Sequence, residues 1–263
     1  MSEHYAELLM YVAPAAVQQA NQQWLARIFE RLNLTRRNAD HLDLHGLWLA
    51  PELLVTQTCG YPLMTQLRGQ VRVIGRPRYE LAHSSNGEHC SLLLTRDDNP
   101  RTALADFYNS RGVINGHDSN SGMNLLRERL APLQRDGRFF ASIDSSGAHR
   151  ESLRWLRENL ADLAAIDSVT YDYLARFAPR EVAGLRIVTH SAPSPTLPYI
   201  GPLQLSDEQV AQIREAMNLA LQDLPQVVET LGIQEVLPAS EDDYQVLLAY
   251  QQHAASVGYP NLR

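Results

Sequence analysis

The sequence of 263 residues predicts an α/β fold with largely parallel sheets. Short apolar runs typical of buried strands alternate along most of the chain with segments whose apolar residues recur at helical spacing. Hydrophobic residues make up 44% of the chain and charged residues 20%, as in a soluble globular protein with a full core. The length allows one large domain or two smaller ones.

The first two thirds of the chain carry the alternating pattern. Apolar residues from Val17 to Leu32 fall at helical spacing behind Pro14, and further helix patterns cover 123–130 and 153–160. Strands are predicted at seven apolar runs, which are 53–57, 71–75, 90–95, 112–115, 138–143, 162–167 and 185–190. Strands and helices in this order favour parallel sheets covered by helices.

The last third begins with the proline-rich stretch 191–198 and is almost entirely helix-patterned from Ser206 onwards. Ser206 and Gln209 have the spacing of a capping box, in which each side chain bonds the other residue's backbone N–H. A second helix start is predicted at Ser240. The chain is therefore predicted to end in a helical tail.

Charge and composition exclude several classes of protein. The net charge of −7 argues against nucleic acid as a partner, and no segment has the roughly 18 consecutive apolar residues of a membrane span. All 23 basic residues are arginine, so enzymes with a Schiff-base lysine and phosphate loops of the G-x-x-x-x-G-K type are excluded. The first 14 residues lack the basic and apolar regions of a secretion signal.

We expect no metal and no cofactor. Cys59 and Cys90 lack further thiols at metal-ligand spacing and could form at most one disulfide. His41, Asp43 and His45 would share one face of a strand, either as a metal site or as an ordinary exposed polar face. There is no nucleophile elbow, no zinc-protease motif and no dinucleotide fingerprint. These absences favour a binding protein over an enzyme.

A polar turn in INGHDSNSGMNLLR, residues 114–127, joins a predicted strand to a predicted helix. Helix N-termini expose unpaired backbone N–H groups and carry partial positive charge, which suits an anion. Ser119, Asn120 and Ser121 would add side-chain donors, and Gly122 leaves room for close approach. Simple helix capping by these residue types is the alternative.

A second serine-rich and glycine-containing turn, at 142–153, puts His149 and Ser152 in the first turn of another helix. Loops at the carboxyl ends of parallel strands share one sheet edge, so the two turns would converge there. His149 would be neutral unless a bound anion raised its pKa, or it is simply an exposed helix residue. Asp167 would reach the same edge, or serve as a plain N-cap.

Another polar segment follows the buried strand 53–57. It contains Thr58, Cys59, Gly60 and Tyr61, and we expect it at the carboxyl edge of a first lobe. Tyr61 would face the ligand from there, and Thr58 is a further candidate contact.

The motifs QTCGYPL, INGHDSNSGMNLLR, SSGAHRESLRWL, ADLAAIDSVTYDYL and LPYIG, in this order, resemble the substrate-binding proteins of ABC importers for phosphate, phosphite and phosphonates. The resemblance covers about residues 50–202. It implies the two-lobed type 2 periplasmic-binding fold, with one lobe from 1–90 and 191–263 and an inserted lobe from 91–190. Strands 90–95 and 185–190 would be the hinge between lobes that close on a ligand.

The resemblance also implies roles for individual residues. The family's oxyanion-binding turn matches Ser119, Asn120 and Ser121, and its site histidine matches His149. An acidic residue resembles Asp167, and a first-lobe aromatic residue resembles Tyr61. This chain departs from the family at Asn120, where the phosphonate binders usually have a second hydroxyl.

The expected function is capture of a small oxyanion, such as a phosphonate or phosphate, for an ABC importer. Permease subunits would be its partners, and its location would be the periplasm. Since the start of the sequence has no secretion signal, either a signal was removed or the chain is a cytoplasmic enzyme or sensor of the same fold. That alternative would act on a small carboxylate or phosphorylated metabolite.

Overall fold

The computed structural model describes residues 3–263. The strands of this part are β1 (Glu3–Glu7), β2 (Thr35–Arg37), β3 (Leu53–Gln57), β4 (Val71–Tyr79), β5 (Glu88–His89), β6 (Ser91–Arg96), β7 (Arg111–Ile114), β8 (Ser142–Ser145), β9 (Leu163–Asp167), β10 (Leu185–His190), β11 (Ser194–Pro195), β12 (Tyr199–Pro202) and β13 (Ile233–Leu237). The α-helices are α1 (Ala15–Leu32), α2 (Leu44–Trp48), α3 (Gly60–Thr65), α4 (Leu125–Leu130), α5 (His149–Arg157), α6 (Ser168–Phe177), α7 (Asp207–Asp223), α8 (Pro225–Leu231) and α9 (Gln245–Ser256). A π-helical turn covers Asn120–Asn124, and none of the helices in residues 3–263 is long and apolar enough to cross a membrane.

The chain divides into two compact units. Unit 1 contains Met1–Glu88 and Pro195–Tyr244, and unit 2 contains His89–Ser194 and Gln245–Arg263. The predicted division places the whole C-terminal tail in the first lobe, whereas α9 belongs to unit 2. The physical reason is packing against α4, together with a hydrogen bond of 3.1 Å from Asn124 Nδ2 to Leu247 O in α9.

Unit 1 is built on a six-stranded sheet in the order β13-β4-β12-β3-β1-β2. β1 pairs in parallel with β2 and β3, and the pairs on the other side of β3 are antiparallel. Helix α1 packs on α7 and α8 and buries Trp24, whose indole N–H donates to Met217 O over 3.0 Å. The predicted helix behind Pro14 and the predicted strand 53–57 are confirmed.

Unit 2 is built on a five-stranded sheet in the order β10-β6-β9-β7-β8. β9, β7 and β8 run parallel to one another, while β6 pairs antiparallel with both β9 and β10. The strands expected as a hinge, 90–95 and 185–190, are β6 and β10. The core includes Leu92, Val113, Leu153 and Ile166, all fully buried.

Three expectations about the fold need correction. The six-stranded and the five-stranded sheet are both mixed rather than mostly parallel, because β12 and β13 in unit 1 and β6 and β10 in unit 2 pair antiparallel. The helical tail is interrupted by β13, which pairs with β4. The run 138–143 is not a strand throughout, since β8 begins only at Ser142. The capping box of Ser206 and Gln209 is confirmed at the start of α7.

Candidate functional site

The parallel strands of unit 2 bring three polar turns to one edge of its sheet. β7 pairs with β8 on one side and β9 on the other, so the segments that follow these strands leave from the same carboxyl edge. Ser119–Ser121 follow β7, His149 follows β8, and Asp167 ends β9. The sheet therefore places the second-lobe candidates of the sequence analysis together.

The first turn begins a π-helical turn instead of a regular helix. Ser119 is its N-cap, and its Oγ accepts a hydrogen bond of 3.0 Å from the backbone N–H of Gly122. A Cβ atom on Gly122 would lie 1.7 Å from Asn115 Oδ1, so any larger residue here requires the Asn115 side chain or the turn to move. Wide helical turns of this kind are frequent at functional sites. Helix capping, the alternative interpretation for Ser119, is therefore present.

Ser121 joins the first turn to the second. Its Oγ lies 3.0 Å from Nε2 of His149, the first residue of α5. The carbonyl oxygen of Ser121 accepts a hydrogen bond of 2.7 Å from Ser91 Oγ, which fixes the turn against β6. Either Ser121 or His149 can supply the proton of their contact. An oxygen atom of a ligand could accept a hydrogen bond from Ser121 or from His149 in place of the contact between them.

His149 favours its neutral form in the ligand-free protein. Burial lowers its pKa below the ordinary value of 6.5, the negative charge of Asp167 opposes this shift, and His89 adds to it. A bound anion would act in the same direction as Asp167 and raise the pKa of His149. The site can therefore gain a positive charge when an anion enters.

Asp167 is held by two kinds of partner. Its Oδ2 lies 2.7 Å from His89 Nδ1, and its Oδ1 accepts a hydrogen bond of 2.9 Å from Thr170 N as the N-cap of α6. Burial opposes ionisation of the carboxyl, but the charge and hydrogen bond of His89 outweigh it, and the pKa of Asp167 falls below its ordinary value. The capping interpretation of Asp167 thus holds, together with a hydrogen-bond contact to His89 that has no signal in the local sequence.

The side chain of Asn120 is engaged within unit 2. Its Nδ2 donates to Ser194 Oγ over 2.9 Å, and its Oδ1 accepts from Asn124 Nδ2 over 3.1 Å. Ser152 is fully buried, and its Oγ lies 2.7 Å from Ser146 Oγ. Through these hydrogen bonds, Asn120 and Ser152 hold the two turns in place.

The unit 1 candidates lie at the end of β3. Thr58 is fully buried, and its backbone N–H donates to Pro198 O over 3.2 Å. Tyr61 is buried in the first turn of α3, and its carbonyl accepts from Thr65 Oγ1 over 2.8 Å. A cavity of about 590 Å³ in unit 1 is lined by residues of β1, α1 and the segment 36–47, and by neither Thr58 nor Tyr61.

The strand expected at His41, Asp43 and His45 is absent. Asp43 instead caps α2, where its Oδ1 accepts a hydrogen bond of 2.7 Å from Gly46 N, so the three side chains do not share a strand face. No group of three or more His, Cys, Asp or Glu residues within 3–263 could hold a metal ion. Neither Cys59 nor Cys90 is in a disulfide within residues 3–263, and burial raises the pKa of Cys90.

The fold and this edge of polar turns define a class of protein, the two-lobed α/β binding proteins that hold small solutes. Residues 52–244 match the family described as "ABC transporter, phosphonate, periplasmic substrate-binding protein". The chain belongs to this family. A comparison with curated protein sequences finds no match.

Solved structures share the fold at low sequence identity. A binding protein component of an ABC phosphonate transporter from Pseudomonas aeruginosa has a TM-score of 0.78 at 15% identity, over 97% of this chain and 87% of that one. PhnD1 from Prochlorococcus marinus, in complex with methylphosphonate, has a TM-score of 0.73 at 10% identity, covering 95% and 97%. XAC2383 from Xanthomonas citri, bound to chloride, has a TM-score of 0.71 at 15% identity, covering 98% and 99%.

Proposed function

We propose that this substrate-binding protein captures a small phosphonate or similar oxyanion through the turn of Ser119, Asn120 and Ser121 together with His149. The observation that carries the proposal is the distance of 3.0 Å between Ser121 Oγ and His149 Nε2. This contact joins two helix N-terminal turns at one sheet edge. Hydroxyl, imidazole and backbone N–H donors are the groups that bind an anion without lysine.

The electrostatics of the site support an anionic ligand. His149 is the group whose charge can change on binding, since its pKa is lowered in the ligand-free protein and a bound anion would raise it. Asp167 lies in hydrogen-bond contact with His89, and its negative charge stabilises the protonated form of His149. A buried carboxylate therefore does not exclude an anion here.

The remaining candidates complete the proposal. Asp167 and Ser152 support the two turns of unit 2, and Thr58 and Tyr61 are proposed ligand contacts from unit 1. Permease subunits of an ABC importer are the proposed partners and the periplasm the proposed location, because the family consists of periplasmic transporter components. The phosphonate named for the Prochlorococcus structure makes methylphosphonate the first ligand to test.

A thermal-shift screen tests this function. The ligands are methylphosphonate, an aminoalkylphosphonate, phosphate, phosphite, sulfate and small carboxylates. A ligand at a hundred times its dissociation constant stabilises the folded state by about 2.7 kcal/mol, which is a readily measured shift. We expect at least one oxyanion to stabilise the protein, and no response to any of them would contradict the proposal.

An enzyme assay separates binding from catalysis. A serine hydroxyl within hydrogen-bond reach of a histidine is also the geometry of an activated nucleophile. We expect the purified protein to return the stabilising ligand unchanged after long incubation, as detected by phosphorus NMR. Turnover of that ligand would show that the protein is an enzyme and would contradict a purely binding function.

A further inference from the structure

Arg127, on α4 behind the π-helical turn, is a buried cation with uncharged partners. Its exposed fraction is 4%, and its guanidinium donates to Asn124 Oδ1 over 2.6 Å and to Pro260 O over 3.0 Å. No Asp or Glu within 3–263 forms an ion pair with it, and its Nε has no hydrogen-bond partner there. A buried charge without a counter-charge is costly, so a neutral side chain would be favoured unless the charge has a use.

The partners of Arg127 form a relay of hydrogen bonds in one direction. A guanidinium can only donate, so it fixes the carbonyl oxygen of Asn124 toward itself. The amide nitrogen of Asn124 then points away and donates to Asn120 Oδ1 and to Leu247 O, each over 3.1 Å. With its oxygen occupied, Asn120 turns its amide nitrogen outward to Ser194 Oγ, over 2.9 Å.

The direction of this relay matters because a carboxamide can rotate by half a turn at little cost in shape. In one orientation Asn120 presents N–H donors on the side away from Asn124, and in the other it presents a carbonyl oxygen. Donors attract an anion and a carbonyl repels it. In this relay, Arg127 has donors and no acceptor, so it fixes the orientation of the amides together with the Leu247 carbonyl, which can only accept.

We propose that Arg127 is a positioning residue for the oxyanion site. It sets the amide orientation of Asn124 and, through it, of Asn120, and places a positive charge behind the turn that no carboxylate neutralises. This inference rests on the proposed function of the turn. The relay fixes which end of the Asn120 amide faces away from Asn124. Asn120 is the position where the phosphonate binders of the family usually have a hydroxyl.

Three variants test the relay, with methylphosphonate as the probe in calorimetric titrations. Arg127→Met removes the charge and the donors at similar size, and we expect about tenfold weaker binding, or ~1.4 kcal/mol. Arg127→Lys keeps the positive charge and a group that donates hydrogen bonds but accepts none, and we expect binding within about threefold of wild type. Asn124→Asp keeps an oxygen for Arg127 but cannot donate to Asn120, and we expect it to weaken binding as much as Arg127→Met.

A purely structural role for Arg127 predicts a different pattern. In that case Arg127→Met and Arg127→Lys would change stability without separating in affinity, and Asn124→Asp would bind normally because it supplies the missing counter-charge. Either result would overturn the proposal. If Arg127→Met does not fold, the affinities of Asn124→Asp and Arg127→Lys still distinguish a positioning role of Arg127 from a purely structural one.

The side-chain amide resonances of Asn120 give a readout without ligand. In the wild-type protein we expect its N–H protons to show the slow exchange of a buried hydrogen bond to Ser194, and we expect that protection to be lost in Asn124→Asp. Unchanged protection in that variant would contradict the relay. If no oxyanion binds the wild-type protein, the proposed function fails while this measurement still tests the orientation of the amides.

Discussion

Asp167 Oδ2 lies 2.7 Å from His89 Nδ1, and the two side chains are 4% and 1% exposed. The carboxylate accepts the hydrogen bond, so Nδ1 of His89 carries the proton. Because the pKa of Asp167 is lowered in the folded state, its contribution to stability is present above its ordinary value of 3.8 and is lost as the pH falls through the folded value. The pair holds the end of β9 next to the start of β6.

Removing one partner of this pair should be strongly destabilising. Asp167→Ala leaves His89 buried without its acceptor and removes the N-cap of α6, so we expect a loss of about 3–5 kcal/mol in the free energy of unfolding. Urea denaturation measures it. Asp98→Ala is the control, since it removes an exposed ion pair with Arg96 and should barely change stability. Equal effects of the two variants would contradict the role of the buried pair.

Anion binding should become tighter as the pH falls. His149 favours its neutral form at pH 7 because burial lowers its pKa, and we expect it to gain a proton as an anion binds. Sulfate is the probe, since its own charge does not change in this range, and its affinity should rise from about pH 8 to about pH 5.5. His149→Gln should remove most of this dependence, and an unchanged pH profile in that variant would contradict the assignment of the titration to His149.

The lowered pKa of His149 should also make the stability of the protein without a bound anion depend on pH, in the opposite direction. Since the folded pKa of His149 lies below 6.5, the unfolded chain takes up this proton first, and the ligand-free protein should lose stability as the pH falls through that range. Stability curves with and without sulfate should therefore diverge below about pH 6.5. Parallel curves would show that binding does not protonate His149.

A single methyl group on Gly122 should disrupt the turn. Gly122→Ala would place Cβ 1.7 Å from Asn115 Oδ1 and 3.3 Å from His149 Cε1, so the Asn115 side chain or the turn itself must shift. We expect loss of methylphosphonate binding, measured by titration. Gly69→Ala is the control, because it introduces backbone strain at φ +68° where a Cβ meets no atom within 4 Å, and it should leave binding unchanged. Normal binding by Gly122→Ala would show that the turn tolerates displacement.

The capping box of α7 offers a test of local stability apart from the site. Ser206 Oγ accepts from Gln209 N over 3.2 Å, and Gln209 Oε1 accepts from Ser206 N over 2.9 Å. Ser206→Ala should lower the free energy of unfolding by about 1 kcal/mol without affecting ligand affinity. Glu215→Ala, in the exposed middle of the same helix, should change stability by a few tenths at most. A larger loss in the control would contradict the role of the cap.

Local patterns in the sequence predicted the elements of the fold well. The period of apolar residues predicted α1, β3 and α7 because these elements bury one face or a continuous run. The same signal failed at 138–143, where Phe139 and Phe140 are buried before β8 begins. Burial alone does not distinguish a strand from an extended loop. Pairing direction is a property of the whole sheet, so β12 and β13 could not be assigned as antiparallel from their own residues.

The contact between the two turns of the candidate site was predictable in part for similar reasons. Serine, asparagine and histidine beside predicted helix starts pointed to Ser121 and His149, and the sheet order brings them into contact. His89 has no local signal. It reaches Asp167 because β6 pairs antiparallel with β9 in a register that places Ser91 opposite Asp167. Arg127 looked like an ordinary helix arginine, and only the fold shows that it is buried.

The most direct test of the oxyanion site is calorimetric titration of methylphosphonate into the wild-type protein, Ser121→Ala and Ser85→Ala. Ser85 is exposed in unit 1, outside the two turns, and is a matched control for the loss of a serine hydroxyl. A hydrogen bond to a charged ligand contributes about 1.5–3 kcal/mol, so Ser121→Ala should bind about ten to a hundred times more weakly, with Ser85→Ala unchanged. Equal affinities of Ser121→Ala and wild type would contradict the assignment of the oxyanion site to this turn.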